Sequence, residues 1–172
     1  MKLNPITEKF VLHWGEMGPK WGVNRTMSQI HALLYVIGKP LNAEEITETL
    51  GVARSNVSNS IKELQNWGLV QKVSILGDRR DHFTTNTDVW ELARIIVAER
   101  QKRELEPTVQ FLQQLMDSPE FEHENNEVKT RIRDTQDFVD TLTTWSTEMI
   151  KLPTSILRKV LKLGASIKKA LR

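Results

Sequence analysis

Residues 51–70, GVARSNVSNSIKELQNWGLV, begin like a surface and end like a core. Val57, Ile61 and Leu64 recur at the three- and four-residue spacing of one helix face. Around them Arg54, Ser55, Asn56, Ser58, Asn59, Ser60 and Lys62 crowd the helix with short hydrogen-bonding groups and cations. Serine and asparagine are mediocre helix formers because their side chains compete for the backbone, so a merely solvated face is better served by Glu, Lys or Gln. The composition fits a helix laid into the major groove of duplex DNA. There asparagine pairs with adenine and arginine with guanine, while serine and the helix N-terminus hold phosphate. The candidate contacts are Arg54, Ser55, Asn56, Ser58, Asn59 and Lys62, on a helix spanning about Ala53 to Trp67 and closed by Gly68.

Working upstream, Gly51 stops a shorter helix that Asn42 and Glu45 open as a capping box, with Ala43, Ile46 and Leu50 inward. Thr26 to Ile37 reads as a helix with Met27, Ile30, Leu33, Leu34 and Ile37 inward, closed by Gly38 and Pro40. Residues 5–17 show helical periodicity at Ile6, Phe10, Val11, Trp14 and Met17, with Gly15, Gly18-Pro19 and Gly22 as breaks. Downstream, two β-prone runs, Leu69 to Ile75 and His82 to Thr87, flank Gly77-Asp78-Arg79-Arg80, which supplies turn residues for a hairpin. Arg79 and Arg80 then sit at the hairpin tip, placed to enter the minor groove or clamp phosphate. One arginine is expected to pair with Asp78 or Asp81 while the other reaches DNA. Helix, short turn, helix, then a two-stranded hairpin is the order of a winged helix-turn-helix.

LNAEEITETLGVARSNVSNSIKELQNWGLV followed by GDRRDHF resembles MarR-type winged-helix transcriptional regulators, most closely the GbsR-like branch. The resemblance covers residues 24–87 and extends over 5–117. Asp78-x-Arg80 is similar to the wing signature of that family, which implies Arg80 for the minor groove with Asp78 supporting it. The resemblance also implies a homodimer formed by terminal helices, with two recognition helices reading a pseudo-palindrome. Ala53 departs from the pattern, standing where many relatives place a capping serine or threonine, and the stretch after Pro153 has no counterpart in it.

Beyond the hairpin, Asp88 with Glu91 gives a second capping box for a long helix through Trp90, Ile95, Ile96 and Leu105, kinked or restarted at Pro107 and continuing to about Met116. Val128, Ile132, Phe138, Leu142, Trp145 and Met149 line one face of a further helix, at the spacing of a paired-helix seam, and Pro153 ends it. Thr154 to Arg172 is amphipathic, with Ile156, Leu157, Val160, Leu161, Leu163, Ile167 and Leu171 largely segregated from the basic residues. The expected architecture is therefore mainly α: a winged helix-turn-helix over residues 24–88 with a two-stranded wing, and long N- and C-terminal dimerisation helices at 1–23 and 89–152. A basic amphipathic extension covers 153–172. Three roles are open to the extension: packing on the partner subunit, lying on an anionic membrane surface, or adding non-specific DNA affinity.

The chain has 172 residues and a net charge of only +2, so whole-chain charge says little about nucleic acid. From Ile150 onward there are seven basic residues and no acidic one. Cysteine is absent, which excludes disulfides, thiolate chemistry and cysteine-ligated metals. The N-terminus lacks the uninterrupted apolar run of a signal peptide, and no stretch approaches the roughly 18 apolar residues of a membrane span, so a cytoplasmic location is expected. His13, His31, His82 and His123 are dispersed and form no ligand pair on one helix face. No enzyme, metal or cofactor is expected.

Trp14, Trp21, Tyr35, Trp90 and Trp145 serve as core and interface anchors; the resemblance to the GbsR-like branch implies the alternative that some of them line a pocket for a small effector of the quaternary ammonium type. The expected function is a dimeric, sequence-specific DNA-binding transcriptional regulator, a repressor released by a small molecule. A winged-helix protein-interaction module is the competing class.

Overall fold

The computed structural model describes residues 1–170, with side chains described to Leu163. The chain divides after Ile95 into two compact units.

The first unit opens with α1 (Pro5–Lys20) and α2 (Arg25–Ile37). Asn4 caps α1, its Oδ1 accepting from the N–H groups of Ile6 and Thr7 at 3.0 and 2.9 Å. Asn24 caps α2 in the same way. The helix α1 runs on through Gly15 and Gly18 to Lys20, where the sequence suggested breaks. The reason is the crossing with α2: a Cβ on Gly15 would lie 2.5 Å from Gln29 Cγ, so the glycines admit a neighbouring helix instead of ending their own. Helix α2 is the spine of the core, with Met27, Ile30, Leu33 and Leu34 all buried.

Strand β1 (Leu41–Asn42) leads into α3 (Ala43–Leu50), and α4 (Arg54–Asn66) follows. The expected capping box is present on α3: Asn42 Oδ1 accepts from Glu45 N at 3.0 Å, and Glu45 Oε2 accepts from Asn42 N at 2.8 Å. Gly51 closes α3 with a left-handed φ of 63°, a conformation natural to glycine, and this lets the chain reverse into α4 within three residues. Ile46 of α3 and Val57, Ile61 and Leu64 of α4 are buried as their spacing requires. Each such side chain contributes about 1.5–3 kcal/mol on burial.

The sheet has three strands where the sequence suggested two, in the order β1-β3-β2, with β2 at Gln71–Ile75 and β3 at Asp78–Thr84. β1 escapes a reading by alternation because it has only two residues; Leu41 pairs with Phe83 and Asn42 with His82. β3 also begins earlier than expected. Ile75 pairs directly with Asp78, so the turn is Leu76-Gly77 alone, and Asp78, Arg79 and Arg80 belong to the strand rather than the turn.

Helix α5 (Val89–Arg100) starts on Asp88, whose Oδ1 accepts from Trp90 N at 2.8 Å. The predicted second half of that capping box is absent. Glu91 is drawn to Arg94 at 2.6 Å, and Asp88 N donates to Asn86 instead.

In the second unit a single π-helical turn (Gln101–Leu105) precedes α6 (Glu106–Met116), so the helix restarts just before Pro107. The short α7 (Pro119–Glu122) and the long α8 (Asn126–Lys151) follow, then α9 (Thr154–Ala170). Gln101 ties the π turn to α8, donating to Thr147 Oγ1 at 2.7 Å and accepting from Ser146 Oγ at 3.1 Å. The unit buries Leu112, Phe121 and Val139, yet along α8 Phe138 is 66% exposed and Trp145 54%. The apolar seam read from the sequence is therefore largely open within one chain. On α9, Ile156, Leu161 and Leu163 are exposed, whereas Ile167 and Leu171 lie outside the described side chains. No helix among the described residues is long and apolar enough to cross a membrane.

Candidate nucleic-acid interface

Helix α4 sorts its residues by angle. With 3.6 residues per turn, successive side chains are rotated by about 100°. Val57, Ile61 and Leu64 fall in one buried arc, and Ser60, counted with the polar surface in the sequence, falls there too and is buried. Ser55 and Asn59 stand on the exposed crest opposite. Arg54, Ser58, Lys62 and Gln65 turn toward the wing. Asn56 is exposed but lies on the far flank, away from the wing.

Between α4 and the wing runs an open groove of about 560 Å³. Arg54, Ser58, Lys62 and Gln65 line it from α4, Lys72 from β2, Arg79, Arg80 and Asp81 from β3, and Glu44 from α3. Five of the predicted contact residues, Arg54, Ser58, Lys62, Arg79 and Arg80, thus converge on one concavity, while Ser55, Asn56 and Asn59 do not line it. Gln65 and Lys72 were not among the sequence candidates. Gln65 lies eleven residues after Arg54, three helical turns along the same face, and that spacing was the signal available for it.

Arg80 is the most tightly held of the cations. Its Nε lies 3.0 and 3.1 Å from the two oxygens of Asp78, Nη2 lies 2.5 Å from Oδ2, and its backbone N–H donates to Oδ1 at 2.9 Å. These hydrogen bonds hold the Asp78 carboxyl well below the usual carboxylate range and push the guanidinium above its ordinary value, so both are charged at any physiological pH. Nη1 reaches Glu44 Oε2 at 3.3 Å. Beneath the pair, His82 is buried with Nδ1 3.0 Å from the Arg80 carbonyl, a contact in which the ring must donate.

Glu44 also meets Arg54, Oε1 to Nη1 at 3.6 Å, and Asp81 pairs with Lys72 at 2.9 Å. Arg79 has no ion pair among the described residues. The sequence expectation that one wing arginine is paired is met by Arg80. Despite the pairing the Arg80 side chain remains half exposed.

The start of α4 is chemically different from the starts of α1, α2 and α3. Ala53 offers no side-chain acceptor, so the first N–H groups of α4 keep their capacity for an external anion. Cations along one wall, amide and hydroxyl groups along a helix, and an uncapped helix N-terminus together suit a polyanion with readable edges. No group of three or more acidic or histidine side chains suited to a metal occurs among the described residues.

Comparison with known proteins agrees with this geometry. The sequence model of the MarR family matches residues 21–81, the span from the end of α1 into β3. A curated relative from Bacillus subtilis (strain 168), named as the HTH-type transcriptional regulator YvaV, is 22% identical over 97 residues. That match takes in 53% of this chain and 55% of the relative, so the chain spans about half of that protein's length. The crystal structure of a transcriptional regulator superposes with a TM-score of 0.67 at 16% identity, covering 85% of this chain and 96% of the other. A mutant MepR from S. aureus reaches a TM-score of only 0.39 at 15% identity, covering 80% and 91%, too distant in shape to bear on the fold. Residues 21–81, the span that the MarR family model matches, fold as a winged helix.

Proposed function

We propose that this chain, built around the MarR-type winged helix of residues 21–81, is a sequence-specific DNA-binding transcriptional regulator acting as a homodimer. The observation that carries the reading is the groove between α4 and the wing, where Arg54, Lys62, Lys72, Arg79 and Arg80 face one concavity beside an uncapped helix start. The N-terminal half of α4 enters the major groove, Ser55 and Asn59 meet base edges, and Arg80, braced by Asp78, follows the adjacent minor groove. Two copies place two such helices one duplex turn apart. The exposed Phe138, Leu142 and Trp145 on α8 support the dimer, since a second copy of the same face covers them. The basic α9 adds to that packing.

Within the MarR type we assign the chain to the GbsR-like branch, as a repressor released by a small molecule. An aromatic group on α1 and α2 supports an effector site. Phe10 stacks on Trp14 at 4.5 Å between ring centroids, and Trp21 meets Trp14 edge-on at 5.8 Å. Tyr35 lies 6.4 Å from Phe10, so the four aromatic side chains form a contiguous row, and cation–π contact of its outer ring faces with a quaternary ammonium ion is the effector chemistry we propose.

The test is Arg80→Ala. Fluorescence anisotropy with a duplex selected from a random pool is expected to show binding weakened by about 1–3 kcal/mol, with the thermal midpoint little changed because the pair is exposed. Unchanged DNA affinity, with another protein captured through the same face, supports the protein-interaction class instead.

A further inference from the structure

Glu44 is an acidic side chain on a face proposed to meet a polyanion; as a first-turn carboxylate it suits the α3 dipole, a role that Glu45 already fills. The capping box of α3 uses Glu45, and the backbone N–H of Glu44 donates to Asn42 whatever its side chain is. The carboxylate is instead divided between the two halves of the interface: Oε1 lies 3.6 Å from Arg54 at the start of α4, and Oε2 lies 3.3 Å from Nη1 of Arg80 on the wing. Asp78 occupies the Nε and Nη2 edge of Arg80. Glu44 takes Nη1, so the donor best placed for DNA is already engaged in the free protein. A duplex must exchange this carboxylate for its own phosphate or base edge while approaching a negative charge.

We propose that Glu44 is a specificity-determining residue, an internal competitor that occupies Arg54 and Arg80 until a duplex offers enough base contacts to displace it. The proposal rests on the DNA-binding reading above. A random duplex supplies only phosphate contacts, which repay the exchange poorly, whereas a preferred site adds base-edge contacts from α4. The carboxylate therefore costs non-specific binding more than specific binding, which is how an unfavourable interaction sharpens discrimination.

The experiment compares the wild-type chain with E44Q and, as a control for net charge, with E48Q on the same helix. Each is titrated by fluorescence anisotropy into a random-sequence duplex and into a duplex selected by the wild type from a random pool. E44Q is expected to bind the random duplex about tenfold more tightly, two exposed ion pairs being released together, and the selected duplex less than about threefold more tightly. E48Q is expected to match the wild type on both. An E44Q chain with unchanged or weaker binding to random duplex overturns the inference alone, as does an E48Q chain that gains as much as E44Q. A wild-type chain that binds neither duplex at low salt contradicts the DNA-binding reading itself, and the inference falls with it.

Discussion

Arg80 shows how much a single residue's role depends on its neighbours. Its guanidinium is clamped on one edge by Asp78 while half of its surface faces outward, so the side chain is oriented before any ligand arrives. Holding a long arginine in one rotamer in the free protein lowers the entropy lost on binding. The Asp78-x-Arg80 pair was legible in the sequence. Its place in β3 was not, because Gly77-Asp78 reads equally well as the middle of a longer turn, and only pairing with β1 and β2 fixes the register.

His31 was a bland residue in the sequence, and burial gives it a measurable consequence. Its Nε2 lies 3.3 Å from Thr85 Oγ1, whose hydroxyl donates to the Leu69 carbonyl at 2.6 Å, so the ring donates to Thr85. Desolvation lowers its pKa to about 4 from 6.5. Below 6.5 the unfolded chain therefore binds a proton that the folded chain refuses, and stability falls as pH drops from about 6.5 toward 4. The full difference is worth about 3 kcal/mol. Chemical denaturation at pH 7 and pH 4 is expected to show His31→Gln losing less stability on acidification than the wild type, by an amount of that order. An identical loss in both chains means that His31 stays protonatable in the fold.

At the scale of the element, α4 combines a buried arc legible from Val57, Ile61 and Leu64 with an exposed face whose subdivision needed the wing in place. The sequence presented Arg54 to Lys62 as one polar surface. The structure splits it into a groove side, a crest and a far flank that holds Asn56, and moves Ser60 into the core. The glycines of α1 show the opposite limit: Gly15 reads as a helix break until α2 crosses over it.

The missing cap at Ala53 belongs to this scale as well. Asn4, Asn24 and Asn42 all cap their helices by side chain, whereas Ala53 does not. Ala53→Asn is expected to raise the stability of the folded chain by about 1 kcal/mol, seen as a higher thermal midpoint. In the same variant duplex binding is expected to weaken, because the new acceptor competes with phosphate for the same N–H groups. A variant that gains both stability and affinity contradicts a phosphate contact at the start of α4.

For the whole molecule, the winged helix carries its own core around α2, but the second unit does not close over its apolar residues. Phe138, Leu142 and Trp145 on α8 and Phe111 on α6 remain exposed in one chain. The spacing of the α8 residues was legible in the sequence as a seam, and the proposed dimer accounts for its exposure in one chain. Trp145→Asp is expected to convert a dimer to a monomer by analytical ultracentrifugation, because a charge forced into the covered seam is costly. Retention of the dimer places the interface elsewhere.

DNA affinity should fall with the same substitution, since two half-sites are then no longer read together. The α4–wing groove is proposed to bind duplex DNA through its cations, and that binding is read out in its dependence on salt. For a dimer with about three phosphate contacts per subunit, a plot of log affinity against log salt is expected to have a slope of about −5, reduced by Arg80→Ala. A slope near zero, or one that the substitution leaves unchanged, would contradict it.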